Sequence, residues 1–207
     1  ALISFDPEAT EIVVRCAGEV RTQDHSGVVG KQKGFVPLWL FQRSTELTRA
    51  TAHVRRLTKG LRDGHENDVA LLHALSARIL DAVTYEIGTT DAATSADAAI
   101  EKGSGVCQDH AHIFIAAARA MGFPARYVSG YLMMDGRDQQ DATHAWAEAH
   151  IEDIGWVGFD VSNAISPDDR YVRVATGLDY REAAPISGLR FGSGAETLTV
   201  DVAVAQQ

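Results

Sequence analysis

The sequence predicts an α+β fold in which a helical half packs against an antiparallel β-sheet. After Pro37, apolar residues recur at helical spacing, whereas from residue 125 onward apolar and polar residues alternate with the period of two that is typical of strands. Helices therefore precede strands along the chain, an order typical of α+β proteins. The 207 residues, 45% of them hydrophobic, are enough for one large domain.

The first 34 residues predict a β-strand segment. Residues 11–15 (EIVVR) and 19–22 (EVRT) are rich in β-branched side chains and are bounded by turn formers. Residues 23–34 have the composition of a loop. We expect the first strands and a final strand, at residues 197–204 (TLTVDVAV), to lie on or beside the main sheet.

Two helices are predicted between residues 67 and 103. Asn67 and Asp68 are good N-caps for a first helix, for which Gly88 is a plausible end. This helix carries apolar side chains at i, i+3 and i+4 spacing, namely Leu71, Leu72, Leu75, Ile79 and Val83. Thr94 and Asp97 have the form of a capping box for a second, short helix that ends near Gly103.

A third helix is predicted from about Gly105 to Gly122, where Gly and then Pro124 end it. The period then changes to two. Three strands are predicted beyond this point, at residues 125–134, 143–151 and 155–160.

Charge and cysteine content disfavour several classes of partner and of protein. With 28 acidic and 19 basic residues the net charge is −9, which repels phosphate backbones, so we expect no nucleic acid and no membrane as partner.

The two cysteines, Cys16 and Cys107, are too few for a secreted disulfide scaffold. No stretch has the roughly 20 apolar residues of a membrane span, and residues 1–10 do not resemble a signal peptide. We therefore expect a cytoplasmic location and free thiols.

Cys107 follows a glycine-rich segment and falls in the first turn of the predicted third helix. There the unpaired backbone N–H groups and the positive end of the helix dipole favour a thiolate, which is the nucleophilic form. Residues 103–105 (GSG) would leave room for a substrate and free a backbone N–H for an oxyanion hole. Cys16, in contrast, is expected to be a core residue of its strand.

His144 opens an alternating segment at residues 143–150. His144, Trp146, Glu148 and His150 share one face of this strand, and alanines share the other. Small alanines suit a face that packs against helices. The larger, polar face would then border a cleft or solvent.

Asp160 ends the following strand and can come close to His144. If the two strands pair with His150 opposite Trp156, then His144 and Asp160 are diagonal neighbours on one face, with about 7–8 Å between their backbones. A slip of one residue would place them on opposite faces.

The three residues together form a candidate catalytic site for acyl transfer. Cys107 would attack a carbonyl carbon as a thiolate, and His144 would take the thiol proton and give it to the leaving amine. Asp160 would orient the imidazole and favour its protonated form. The backbone N–H of Cys107 would help to hold the developing oxyanion.

Two segments resemble the transglutaminase-like superfamily. Residues 103–132 (GSGVCQDHAHIFIAAARAMGFPARYVSGYL) resemble the nucleophile helix and following strand of that family, and residues 143–163 (THAWAEAHIEDIGWVGFDVSN) resemble its His-Ala-Trp-Ala-Glu strand and Trp-x-Gly-Phe-Asp-Pro-Thr-Asn turn. Order and spacing match over roughly residues 70–165. The chain departs at Val161 and Ser162, where Pro and Thr are usual, and at His110, where an aromatic residue is common.

The resemblance implies a papain-like, transglutaminase-core fold and cysteine chemistry on amide bonds, with Cys107 as nucleophile, His144 as base and Asp160 as orienting acid. Bacterial relatives are commonly described as cysteine proteases and often carry an N-terminal β domain. We therefore expect residues 1–34 to be the remnant of such a domain and residues 35–207 to form the transglutaminase-like catalytic domain. The implied partner is a protein or peptide substrate. Acidic calcium-binding loops are not evident, and we expect no cofactor.

Alternative functions remain open from the sequence. Cys107, His110 and His112 suggest a metal site, but one Cys-x2-His pair without a second pair is weak evidence for zinc, so we expect no metal and place both histidines at the flank or surface of the helix. Asp109 fits a partner of the helix dipole on a polar surface, or a binder of a substrate amine. Trp146 and Trp156 fit packing roles, or either could form a wall of the acyl site.

Two larger questions also stay open. Tyr85 or Trp39 could supply a side-chain oxyanion donor. The same fold could also serve as a catalytically inactive protein- or peptide-binding module, although all three residue types of the triad are present.

Overall fold

The computed structural model describes residues 9–134, 136, 139–140, 143–186, 197 and 199–205. It has the predicted α+β architecture, with helices on one face of an antiparallel sheet. Within these residues, no helix combines the length and the apolar character needed to cross a bilayer.

The described residues form five α-helices and one short 3-10 helix. The 3-10 helix is Leu38–Gln42, and the α-helices are α1 (Ala52–Thr58), α2 (Asp68–Ala82), α3 (Ala96–Lys102), α4 (Cys107–Ala120) and α5 (Tyr180–Ala183). α4 is buried along almost its whole length and packs on the other helices and on the sheet. The helix that begins with Cys107 is therefore the central helix of the core.

The main sheet has five antiparallel strands in the order β1-β7-β6-β4-β8. They are β1 (Val28–Gly30), β4 (Ala125–Leu132), β6 (His144–Ile151), β7 (Gly155–Phe159) and β8 (Tyr171–Gly177). Two small pairs stand apart from it: β2 (Thr84–Tyr85) with β3 (Ser104–Gly105), and β5 (Gln139–Gln140) with β9 (Val202–Ala203). The three predicted central strands are confirmed as β4, β6 and β7.

The predicted register between β6 and β7 is confirmed. His150 lies opposite Trp156, and the pairing continues to Ala147 opposite Phe159. Beyond Phe159 the strands separate, because Asp160 forms an isolated bridge with Ile165 instead of pairing with β6. Asp160 therefore lies in a tight turn just past the end of the strand.

The predicted division of the two faces of β6 is half correct. Ala145, Ala147 and Ala149 are buried in the core against the helices, as expected. The opposite face, expected to border a cleft or solvent, is less open than predicted: Trp146 and Glu148 are also buried, and His150 is half-buried. A second aromatic cluster and a buried ion-pair network cover that face.

The ends of two predicted helices need correction. α2 begins at its Asn67 cap as predicted but ends at Ala82 rather than near Gly88, because residues 84–85 leave the helix to pair with β3. α3 is capped by Ser95, whose side chain accepts the N–H of Ala98. The expected capping box of Thr94 and Asp97 does not form, since Asp97 instead accepts hydrogen bonds from α1 and its cap.

The predicted terminal strands are largely wrong. Residues 11–22 are irregular and exposed, and the first strand lies instead at Val28–Gly30, inside the segment expected to be a loop. The residues there have high strand propensity, but they do not form a strand because no partner strand lies beside them in the described structure. In the described part of the predicted segment 197–204, which leaves out Leu198, strand structure covers Val202–Ala203, and this strand pairs with β5 rather than with the main sheet.

The proposed boundary after residue 34 remains a prediction. Residues on its N-terminal side contribute to the main sheet: β1 pairs with β7, and Gly27 accepts a hydrogen bond from the N–H of Gly158. Gln32 also accepts one from the indole N–H of Trp156.

Candidate active site

Cys107 is the first residue of α4, as the sequence predicts, and its side chain is partly exposed. Val106 precedes it in an extended conformation, so the helix begins abruptly. The carboxylate of Asp109 accepts the backbone N–H of Val106 at 2.8 Å and the hydroxyl of Thr90 at 2.6 Å. The thiol therefore lies at a firmly capped helix N-terminus, where the helix dipole favours an anion.

The glycine-rich approach to Cys107 is a strand rather than a flexible loop. Gly103 ends α3 in the left-handed conformation, at φ 73°, and Ser104–Gly105 then pairs in parallel with Thr84–Tyr85. A Cβ on Gly105 would lie 2.7 Å from the carboxylate of Asp109. A glycine is therefore required at this position, to let the capping carboxylate come close.

His144 is the first residue of β6 and is brought to Cys107 by the packing of α4 on that strand. Its Nε2 lies 2.6 Å from Oδ2 of Asp160, so Nδ1 is the ring nitrogen left for the thiol. Burial alone would lower the pKa of His144, but hydrogen bonds to Asp160 and Cys107, and their charges, outweigh burial and raise it to about 10. The imidazole is therefore protonated at neutral pH.

Asp160 is held as an anion by donors from three residues. Oδ2 accepts from His144, from Nδ2 of Asn163 at 2.7 Å and from the hydroxyl of Tyr171 at 2.7 Å. Burial raises the pKa of this carboxyl, but these hydrogen bonds and the charge of His144 outweigh burial and lower it. An ionised carboxylate is what the protonated imidazole needs as its partner.

Two aromatic rings enclose the imidazole. Trp146 stacks near His144 with 6.2 Å between ring centroids, and Tyr171 lies 5.9 Å away. Trp146 and Tyr171 meet edge to face at 5.4 Å within a small buried cluster. Trp156, on the same sheet, packs against Phe41 and below Arg126, so the packing roles predicted for both tryptophans are confirmed.

The other two histidines of α4 are buried, not at the surface as predicted. Both ring nitrogens of His110 have partners, Oγ of Ser162 at 2.9 Å and the carbonyl of Val83 at 3.0 Å. His112 accepts the backbone N–H of Tyr180. Neither ring is oriented toward a shared ligand with Cys107, and the described residues contain no group of three or more His, Cys, Asp or Glu side chains placed to hold a metal ion.

Asp109 is buried, which corrects its predicted place on a polar surface. Burial raises the pKa of its carboxyl, although hydrogen bonds from Thr90 and Val106 act in the opposite direction. Among the described atoms, Oδ1 has no hydrogen-bond partner. The carboxylate stabilises the helix start from inside the protein.

Tyr85 lies near the site, in the strand beside Gly105. Burial, together with the charges of Cys107 and Asp160, raises the pKa of its hydroxyl, so the hydroxyl keeps its proton. Trp39, the other candidate oxyanion donor, is largely exposed on the 3-10 helix. Cys16 is exposed as well, not a core residue as predicted, because its strand does not form.

Two residues of the site were not predicted as such. Asn163 stands in the Asp-Val-Ser-Asn turn, and its asparagine was the available signal, since a short amide beside a strand-end carboxylate can bond to it. Tyr171 begins β8, a strand that was not predicted, and no local pattern connects it with Asp160.

Comparison with known proteins agrees with this fold. The profile of the transglutaminase-like superfamily matches residues 55–161. The crystal structure of a candidate cysteine protease from Cytophaga hutchinsonii superimposes with a TM-score of 0.66 at 26% identity, covering 90% of this chain and 63% of that one.

Curated relatives are longer proteins. An uncharacterized protein of Mycobacterium leprae is 33% identical over 167 residues, which covers 78% of this chain and 59% of the relative. A protein-glutamine gamma-glutamyltransferase of Pseudomonas aeruginosa is 32% identical over 156 residues, 66% of this chain and 23% of that protein. The match thus spans less than two thirds of the length of each of these relatives. The match of the family profile to more than half of its residues shows that the chain belongs to the transglutaminase-like superfamily.

Proposed function

We propose that this protein is a cysteine-dependent acyl-transfer enzyme that acts on peptide or side-chain amides through a thioester, with Cys107, His144 and Asp160 as its catalytic residues. The observation that carries the proposal is the pair formed by Asp160 and Nε2 of His144 at 2.6 Å, with Cys107 among the groups that raise the pKa of His144. A thiol paired with a protonated, oriented imidazole is the arrangement that activates cysteine nucleophiles.

The proposed reaction has two steps. In the first, the Cys107 thiolate forms a C–S bond to the amide carbon, the C–N bond breaks, and His144 gives its proton to the leaving amine. In the second, water or a primary amine attacks the thioester, His144 takes the proton of the attacking group, and the thiolate leaves. Asp160 keeps the imidazole oriented in both steps and stabilises its protonated form.

Oxyanion stabilisation is assigned to two donors. The backbone N–H of Cys107 is free at the helix N-terminus, as the first N–H groups of a helix are. The Tyr85 hydroxyl keeps its proton and lies within electrostatic reach of Cys107. We propose that it donates the second hydrogen bond to the tetrahedral intermediate, which predicts a loss of about 10²–10³ in kcat for Tyr85→Phe.

The relatives support amide chemistry on proteins. One is a protein-glutamine gamma-glutamyltransferase and another is a candidate cysteine protease. Both classes share the thioester and differ in the acyl donor and in whether water or an amine accepts the acyl group. Protein or peptide substrates are therefore the class to test.

The test is an assay of glutamine-containing and general peptide substrates, each with and without an added primary amine, analysed by mass spectrometry. We expect a shortened, deamidated or amine-linked product from the wild type and from Cys16→Ala, and no product from Cys107→Ala. Product from Cys107→Ala at the wild-type rate would contradict the proposal. An active-site thiol that processes none of these substrates would favour the peptide-binding alternative.

A further inference from the structure

The side chain of His110 joins three elements directly below the candidate active site. It is fully buried in α4, one turn after Cys107. Its Nδ1 lies 2.9 Å from Oγ of Ser162, in the turn after β7, and its Nε2 lies 3.0 Å from the carbonyl of Val83, at the end of α2. The proposed reaction uses Cys107, His144 and Asp160 but not His110.

The partners fix the tautomer of this imidazole. A carbonyl oxygen accepts but cannot donate, so Nε2 must carry a proton toward Val83. Burial lowers the pKa of His110, so the ring is neutral and carries one proton. Nδ1 is then an acceptor, and the hydroxyl of Ser162 must donate to it.

Ser162 lies in the turn that presents Asp160. Inside this turn, Asn163 donates to Asp160 from its backbone and its side chain, and Asp160 and Ile165 exchange backbone hydrogen bonds. These bonds hold the turn together, but none of them connects it to α4. The bond from Ser162 to His110 makes that connection.

We propose that His110 is a positioning residue which, through Ser162, fixes the turn carrying Asp160 against the helix carrying Cys107. The inference rests on the proposed function, because it concerns the alignment of two of its catalytic residues. Cys107 and His110 are separated by one helical turn, so the bond sets the distance between nucleophile and acid across two elements that are far apart in sequence.

The surroundings of His110 exclude a role as a general base. Both ring nitrogens are occupied, whereas His144 keeps one nitrogen for the thiol. The charged and titratable groups around the ring are Asp109 on its own helix, Asp160 in the turn, and Tyr85, whose ring centroid lies 6.1 Å away.

The first test observes the tautomer in the wild-type protein by long-range ¹H–¹⁵N NMR. We expect His110 to show a protonated Nε2 and an unprotonated, hydrogen-bonded Nδ1, and Ser162→Ala to shift the Nδ1 resonance. A protonated Nδ1, or a resonance that Ser162→Ala leaves in place, would overturn the inference.

The second test measures the iodoacetamide alkylation rate of Cys107 against pH. We expect Ser162→Ala and His110→Phe to slow it about three- to tenfold at neutral pH, the effect of one ordinary hydrogen bond, and Ser162→Thr to restore it. Ser76→Ala is the matched control, since Ser76 is a buried serine whose hydroxyl bonds to Leu72 inside α2. Folding of each variant is checked by its thermal midpoint.

The outcomes of the alkylation test distinguish the positioning role of His110 from the proposed catalytic function. If wild-type Cys107 is alkylated faster than Cys16, and Ser162→Ala and His110→Phe leave its alkylation rate unchanged, only the positioning role of His110 is contradicted. Wild-type Cys107 that is alkylated no faster than Cys16 at any pH would contradict the proposed function itself.

Discussion

At the scale of single residues, His144 shows how partners decide a protonation state that burial opposes. Its side chain is 8% exposed, which by itself favours the neutral ring. The anionic Asp160 at 2.6 Å and the hydrogen bond to Cys107 reverse that preference and raise the pKa to about 10. The folded state therefore binds this proton more tightly than the unfolded state does.

This difference predicts a loss of stability at alkaline pH. Because the folded pKa of His144 is raised from 6.5 to about 10, its contribution is fully present below pH 6.5 and is lost as pH rises through about 10. Asp160→Asn removes the charge that raises this pKa. We expect the urea midpoint of the wild type to fall more steeply between pH 7 and 10 than that of Asp160→Asn; parallel curves would contradict the account.

The pKa of His112 is shifted in the opposite direction from that of His144. Burial lowers its pKa from 6.5 to about 4, and Nε2 accepts a hydrogen bond from Tyr180 that needs an unprotonated nitrogen. Between pH 6.5 and 4 the unfolded state binds more protons, so the free energy of unfolding falls by roughly 3 kcal/mol over this window as pH is lowered.

The measurement is the pH dependence of urea unfolding between pH 4 and 7. We expect His112→Gln, which cannot titrate, to have a clearly shallower slope than the wild type. His65→Gln, at an exposed histidine, is the control and should leave the slope unchanged. Equal slopes for the wild type and His112→Gln would show that His112 is not kept neutral by the fold.

At the scale of elements, β6 connects the active site with the rest of the sheet. Its alanine face lies on α4 and brings His144 to Cys107. On its other face, Glu148 is fully buried between Arg126 of β4 at 2.6 Å and Arg173 of β8 at 2.8 Å. This carboxylate joins three neighbouring strands behind the site.

Glu148→Gln should therefore destabilise the sheet. Loss of the charge leaves the buried guanidinium of Arg126 without its ionic partner, a change that typically costs about 3–5 kcal/mol. Glu46→Gln is the matched control, because the Glu46–Arg181 pair is mostly exposed and pairs of that kind contribute about 0–1 kcal/mol. Equal urea midpoints for the two variants would contradict the structural role of Glu148.

At the scale of the whole molecule, the periodicity of apolar residues predicted those helices and strands that bury one face against the core. The α+β class, the start of α2 and the register of β6 on β7 are confirmed, because alternating and helical patterns fix which side chains face the core. Local patterns could not predict β8, where intermediate and exposed positions blur the alternation.

The residues of the candidate site likewise include some that the sequence predicted and some that it did not. Residue type, helix position and strand spacing predict Cys107, His144 and Asp160 as catalytic residues; the structure pairs His144 with Asp160 at 2.6 Å, and the catalytic role of the three residues stays a prediction. Tyr171 was missed because its contact with Asp160 depends on the pairing of β8 with β4, a long-range arrangement. The prediction of strands within residues 11–22 was wrong for the converse reason. These residues have the composition of strands, but they pair with no strand among the described residues.

The central claim, that His144 activates Cys107, is tested most directly by the alkylation rate of each cysteine against pH in the wild type and in His144→Ala. Cys16, which is exposed, serves as the internal reference in the same sample. We expect Cys107 to be alkylated many times faster than Cys16 at pH 6, and His144→Ala to remove that difference. Equal rates for the two cysteines in the wild type, or an advantage of Cys107 that survives in His144→Ala, would contradict the account.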